Sequence, residues 1–256
     1  VLFRSYDNLS ARIPLPSNKD EIYRLAETIN ELLDRIEGAV EREKSFTSYA
    51  SHEFRTPLAV LKGTMEVLIR KPRSEEEYKK RITTCIKEVD KLNDMVEQLL
   101  ILTRCEGGNL SLNFDNHAIE SLILCGISPL NDTIKEKNIE IKQNLPKGMT
   151  AYTDDYFMPL IFKNLISNAV KYCNRGGRIE FDAYQESEGI VVEIANTGPG
   201  IPKNELEKIY DKFYRSYASS PANIEGAGLG LSIVKRFSSL LHADIEITST
   251  ENDITR

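Results

Sequence analysis

The sequence predicts two architectures in one chain: a helical hairpin that dimerises into a four-helix bundle, followed by an α+β layered domain, an α/β sandwich. Three observations predict this. Apolar residues recur at three- and four-residue steps through the first hundred residues, the pattern of helices that pack against partners. Gly107-Gly108 ends that texture. Beyond it, short alternating runs interleave with helical ones, as in a sheet with helices on one face.

The first helix follows Pro14 and Pro16, with a seam at Ile22, Leu25, Ile29, Leu32, Ile36 and Ala39. The seam meets Glu43 and resumes at Phe46, Ala50, Phe54, Leu58, Leu61, Met65 and Leu68, displaced by one residue. Such a shift acts as a stutter. Lys71-Pro72-Arg73-Ser74 breaks the helix, because proline cannot continue the ladder. Ser74 and Glu77 form a capping box for a second helix, whose seam is Tyr78, Ile82, Cys85, Val89, Leu92, Val96 and Leu99. So short a turn makes an antiparallel hairpin, and two such hairpins bury their stripes together as a homodimer.

After the Gly-Gly pair, the patterns predict a helix near 117–136, strands at 139–143 and 149–153, and a helix over 155–173. A hairpin at 178–185 and 190–195 turns through Glu188-Gly189. A helix near 228–241 and a strand at 244–248 close the domain, with Ile254–Arg256 beginning one more strand.

At 41% hydrophobic and 28% charged residues, the composition is globular rather than disordered. A net charge of −6 without a Lys/Arg cluster argues against a nucleic-acid partner. Cys85, Cys105, Cys125 and Cys173 form no C-x-x-C pair, so they read as reduced thiols rather than a zinc site. No apolar run is long enough to span a membrane.

Four constellations carry chemistry. His52 sits in Ser51-His52-Glu53-Phe54-Arg55-Thr56-Pro57, turned away from the seam. A neutral imidazole is a competent nucleophile toward phosphorus. Glu53 adjoins it as a base, and Thr56, four residues on, shares its face and can position a water. Pro57 frees the Glu53 carbonyl and favours a bend. In the second, Asn164, Asn168 and Lys171 share one face of an otherwise apolar helix, beside Tyr172. Amide carbonyls supplement phosphate oxygens around magnesium, and an ammonium adds a point charge for phosphate. The third is Asn196-Thr197-Gly198-Pro199-Gly200, where glycines let backbone approach a planar ligand. The fourth runs from Tyr210–Arg215, through a small polar lid, to Gly226, Gly228, Leu229 and Gly230 opening a helix, which presents amides to phosphate. It is not a P-loop.

These strings together resemble the bacterial two-component sensor histidine kinases. Ser51–Leu58 is similar to their phosphoacceptor box, and the later strings to the boxes of their GHKL-type ATP-binding domain. The resemblance implies His52 as phosphoacceptor, Glu53 as general base, and Thr56 in dephosphorylation of a response regulator. It implies Asn168 as the Mg2+ ligand and Lys171 and Arg215 as phosphate contacts. Asn164 and Tyr172 then line the ATP, Asn196 meets adenine together with Gly198 and Gly200, and Gly226, Gly228, Leu229 and Gly230 cradle phosphate. Asn196 departs from the family's usual Asp; its carbonyl still accepts the adenine amino group, without the charge. Leu15-Pro16, Lys19–Ile22 and Asn30–Leu33 resemble the second helix of a HAMP module, which implies an upstream transmembrane sensor and a cytoplasmic portion of a bacterial inner-membrane protein. The expected domains are 1–43 (partial HAMP and linking helix), 44–106 (dimerisation and His domain) and 107–256 (ATP binding), with Gly107-Gly108 as hinge. The expected activity is ATP-dependent phosphorylation of His52, then transfer to a regulator Asp. A catalytically weakened dimeric scaffold, or a GHKL-type ATPase without kinase activity, remains the alternative.

Overall fold

The computed structural model describes residues 10–106, 111–187, 189–216, 228–250 and 253–256. The Gly107-Gly108 pair expected as a hinge, Gly226, most of the expected lid and Glu188 of the predicted turn lie outside the described residues. The chain divides into two compact units, 1–88 and 89–256, with the division inside the second long helix.

Helix α1 runs Glu21–Ile69 and opens on Asp20, whose carboxylate accepts from the amides of Ile22 and Tyr23. Pro57 lies inside it without ending it. Ahead of the helix, an extended segment lies along its first turns. Asn30 exchanges two hydrogen bonds with the Ile13 backbone, 2.8 and 2.9 Å. Arg12 pairs with Asp34 and Glu37. This explains why Ala26 and Leu33 are buried while Ile22, Leu25, Leu32 and Ile36 stand exposed. The predicted seam is uncovered within one copy.

The helix stops before Lys71-Pro72, and α2 runs Glu75–Glu106, completing the helical hairpin. Half of the predicted capping box forms: the Glu77 amide donates to Ser74 Oγ at 3.3 Å. The Glu77 carboxylate turns instead to Arg73 and Arg81.

The second unit holds two sheets. Strand β1 (Phe114–Ala118) pairs antiparallel with β3 (Thr150–Asp154). The other sheet has the order β2 (Glu140–Asn144), β4 (Arg178–Gln185), β5 (Ile190–Thr197), β6 (Ile254–Thr255), with β2 parallel to β4 and the rest antiparallel. Along β4, Ile179, Phe181 and Ala183 point into a core shared with α3 (Ile119–Ile127) and α5 (Phe157–Tyr172). The opposite face is polar: Arg178 pairs with Glu180, and Tyr184 donates to Glu193. The result is one helical layer on one sheet face, as expected. Helix α6 (Gly230–Leu240) packs against α5, with Phe157 and Phe237 in contact at 4.7 Å between ring centroids. Gly126 permits the α3–α5 approach, since a Cβ there would lie 2.4 Å from Ile166 Cδ1.

Two expectations are corrected. The helix predicted near 117–136 is strand β1, then α3, a 3-10 turn over Ser128–Leu130, and α4 (Asn131–Lys137). Pro129 lacks an amide donor, which accounts for the interruption. Residues 244–248 form no strand, although alternate residues are half-buried. Backbone pairing starts at Thr248, which exchanges two bonds with Arg256.

Candidate active site

The His52 string lies on α1. His52 is exposed, as its position relative to the seam predicts, while Pro57 is buried. Thr56 sits one turn on and donates its hydroxyl to the His52 carbonyl at 3.3 Å. The hydroxyl is therefore on the His52 face and held by a weak bond that a solvent molecule can replace. Glu53 is half-buried and follows His52 at about 100° around the helix, so the two side chains diverge.

Within the second unit, a cleft of about 870 Å³, counting its open mouth, lies between α5, the end of β5 and the segment around the start of α6. The inner-facing register of the sheet explains its floor. Asn196 pairs with Ile179, so it lies on the helix-facing side of β5, two residues beyond Ile194. Asn196 is buried, and its Nδ2 leans toward the Thr197 carbonyl at 3.4 Å, which turns its Oδ1 the other way. Asn168 and Tyr172, four residues apart on α5, line the wall with Leu165. Burial pushes the Tyr172 hydroxyl pKa up, and nearby Arg215 partly opposes it.

Of the predicted residues, Asn168, Tyr172, Asn196, Gly200 and Arg215 line this cleft together. Asn164, Lys171, Gly198, Gly228, Leu229 and Gly230 do not line it; they shape its surroundings. Asn164 donates to the Leu160 carbonyl at 2.8 Å. A Cβ on Gly230 would lie 2.9 Å from Asn164 Oδ1 and 3.8 Å from Asn168 Nδ2, so the start of α6 presses on the asparagine face of α5. A Cβ on Gly198 would meet the Tyr172 carbonyl at 2.6 Å. Gly228 has φ +68 and lies against the Phe213 backbone, whose amide donates to the Gly228 carbonyl at 2.8 Å. Leu229 is a core residue.

Sequence reasoning missed the apolar lining: Ile194, Ile201, Ile209, Tyr214, Leu231 and Ile247. Period-two alternation from Asn196 points to Ile194. Leu231 belongs to the first turn of α6, and the rest come from segments outside the α-helices and strands, which carry no periodic signal. Also missed was Asp154, buried, which accepts from the amides of Tyr156 and Phe157 at 3.0 and 2.8 Å and so starts α5.

The cleft fits a nucleotide: apolar walls for a planar base, the amides of Asn196 and Asn168, and the Arg215 cation near Tyr172. Among the described residues no group of three His, Cys, Asp or Glu side chains could hold a metal alone. The Asn168 amide oxygen in the cleft could supplement phosphate oxygens around a Mg2+ ion.

Three family models match the chain. The HAMP domain model covers residues 5–38, the His Kinase A (phospho-acceptor) domain 42–108, and the histidine kinase-, DNA gyrase B- and HSP90-like ATPase 153–256. Sensor protein kinase PmrB of Pseudomonas aeruginosa is 32% identical over 220 residues, 86% of this chain and 45% of the relative. Histidine-protein kinase ArlS of Staphylococcus aureus is 29% identical over 256 residues, 96% of this chain and 54% of the relative. The chain thus spans about half the length of the relatives it matches. Among solved structures, Acinetobacter baumannii histidine kinase AdeS superposes with TM-score 0.65 at 21% identity, over 80% of this chain and 94% of that one. Histidine kinase ThkA, solved in complex with response regulator protein TrrA, gives 0.64 at 22%, over 86% of this chain and 64% of that one. At these identities the structural likeness speaks for the fold.

Proposed function

Since the chain belongs to the two-component sensor histidine kinases, we propose that it binds Mg·ATP in the α5–β5–α6 cleft, phosphorylates His52, and passes the phosphoryl group to an Asp of a response regulator. The observation that carries this reading is the convergence of Asn168, Tyr172, Asn196, Gly200 and Arg215 on one cleft, in a chain that also exposes His52 on a long helix.

Asn196 accepts the adenine amino group through Oδ1 while Ile194 and Leu165 enclose the base. Arg215 and Lys171 offset phosphate charge, and the amides at the start of α6 face the same end. Bound Mg2+ supplies charge neutralisation on the phosphate oxygens, held by Asn168. The unprotonated His52 nitrogen attacks the γ-phosphorus and ADP departs; Glu53, which diverges from His52 on the helix, swings toward the ring to take the imidazole proton. Thr56 orients water for regulator dephosphorylation, its hydroxyl released from the His52 carbonyl.

The domain limits we assign are 1–43, 44–106 and 107–256. The exposed Ile22, Leu25, Leu32 and Ile36, with Ile82, Ile86, Val89 and Val96 on α2, support a homodimer that buries them in a bundle. The depression lined by Ser51, Phe54, Arg55, Leu58, Ala59 and Lys62 beside His52 is the surface we assign to the regulator. The HAMP match supports attachment to a transmembrane sensor, with this portion cytoplasmic. No described helix is long and apolar enough to cross a membrane.

The test is phosphotransfer. Incubated with Mg·ATP, the chain takes up phosphate and then loses it to an added receiver domain whose Asp is intact. Uptake without transfer to any receiver would remove the second half of the proposal. ATP hydrolysis with no phosphoprotein would replace it with the simple ATPase.

A further inference from the structure

Lys137 ends α4, outside the cleft, yet its side chain reaches the helix that lines it. Its Nζ donates to the Val170 carbonyl at 2.8 Å, the Lys171 carbonyl at 2.7 Å and the Cys173 carbonyl at 3.2 Å. An ammonium carries three protons, and here each has an acceptor on the last turn of α5.

The local sequence aims this side chain. Asn138 takes the left-handed conformation, φ 53, and its amide donates to the Ile134 and Lys135 carbonyls, closing α4 just after Lys137. The chain on the other side is tied to the same corner. Gly176 donates its amide to the Lys137 carbonyl at 2.8 Å, and Glu140 donates to Gly177 at 2.9 Å. The α5 end needs such a donor. The Asn174 amide, which would continue the helix to Val170, donates instead to Thr197 at 3.1 Å. Val170 and Cys173 are buried, where an unanswered carbonyl is costly. A cation at a helix C-terminus also complements the dipole.

Those carbonyls sit among the residues that carry the site. Lys171 contributes one of them, Tyr172 lies between the second and third, and Asn168 is one turn back. We infer that Lys137 is a positioning residue for nucleotide binding, fixing the last turn of α5 so that Asn168, Lys171 and Tyr172 leave the helix in the orientation the nucleotide requires. The inference rests on the nucleotide reading of the cleft and adds a residue that touches no ligand.

The test uses the full chain, with Lys137→Met, which keeps the stem and loses the donors, and Lys137→Arg, which keeps donors and charge. A misplaced binding group costs up to about a hundredfold, so a loosened turn should raise KM for ATP roughly tenfold in Lys137→Met, with kcat near wild type. Lys137→Arg should recover most of that loss. A lowered Tm with an unchanged KM, measured well below the melting range, would make Lys137 purely structural and overturn the inference. If Lys137→Met does not fold, Lys137→Gln is compared with Lys137→Arg: a higher KM in the glutamine variant supports the inference, and equal values overturn it. Wild type that binds no fluorescent ATP analogue would take down the nucleotide reading itself. Binding that Asn168→Ala weakens and Lys137→Met leaves intact would remove Lys137 alone.

Discussion

Replacing Asp154 by Ala should cost about 3 kcal/mol, because one buried carboxylate organises two elements at once. Its Oδ1 accepts from the amides of Tyr156 and Phe157, and its Oδ2 accepts from the Asn113 amide at 2.7 Å. The last bond ties the entry of β1 to the end of β3. In Asp154→Ala three donors lose their acceptor, in unequal surroundings. Phe157 is buried, and its unanswered amide costs about 2 kcal/mol, within the range for an orphaned buried donor. Asn113 and Tyr156 are exposed, so water replaces part of the loss, leaving about 0.5 kcal/mol each. For a domain of this size about 3 kcal/mol corresponds to a Tm lower by roughly 9 °C. Asp154→Asn keeps one acceptor and loses the charge, so it should fall between. Urea unfolding followed by circular dichroism gives the free energies. A loss under about 1 kcal/mol for Asp154→Ala would mean that the α5 start is organised by something else, and the argument from these three bonds would fail.

Gly126→Ala should destabilise by about 1–3 kcal/mol through overpacking against Ile166, and the added Ile166→Val should recover part of it; additive losses in urea melts would contradict the contact. Partial desolvation opposes ionisation of Glu77, but its bonds to Arg73 and Arg81 outweigh that and hold its carboxyl below the ordinary 4.5. A depressed folded pKa contributes stability that is present above 4.5 and lost as pH falls through the folded value. Glu77→Gln should therefore flatten the hairpin's acid-side loss of stability, and an unchanged profile in thermal melts would refute this. Asn196→Asp restores a charged acceptor, and charge-assisted bonds are roughly twice as strong, so the Kd for a fluorescent ATP analogue should fall about fivefold. An equal or weaker affinity would show that the amide is already the better partner.

Local periodicity made much of this legible. Strand β4 occupies the predicted 178–185, and α1 breaks at the predicted Lys71-Pro72. Both signals are written in neighbouring residues. The β1–β3 pair was not legible, because Phe114 faces Asp154, forty positions away, and β1 has no alternating burial. The motif residues of α5 were named from one helical face, but which of them reach the cleft depends on the crossing of α6. Asn168 and Tyr172 reach it, while Gly230 abuts Asn164 and closes that end. Lys137 was invisible for the same reason as β1: its acceptors lie 33 to 36 residues on.

In the proposed reaction a ring nitrogen of His52 accepts phosphate from ATP held in the cleft. Incubation with γ-labelled ATP and magnesium, comparing wild type, His52→Gln and Asn168→Ala, tests it most directly. The account predicts label on the wild type that is lost in acid and stable in base, none on His52→Gln, and little on Asn168→Ala. Acid-stable label, or label that persists in His52→Gln, would place the chemistry on another residue and contradict it.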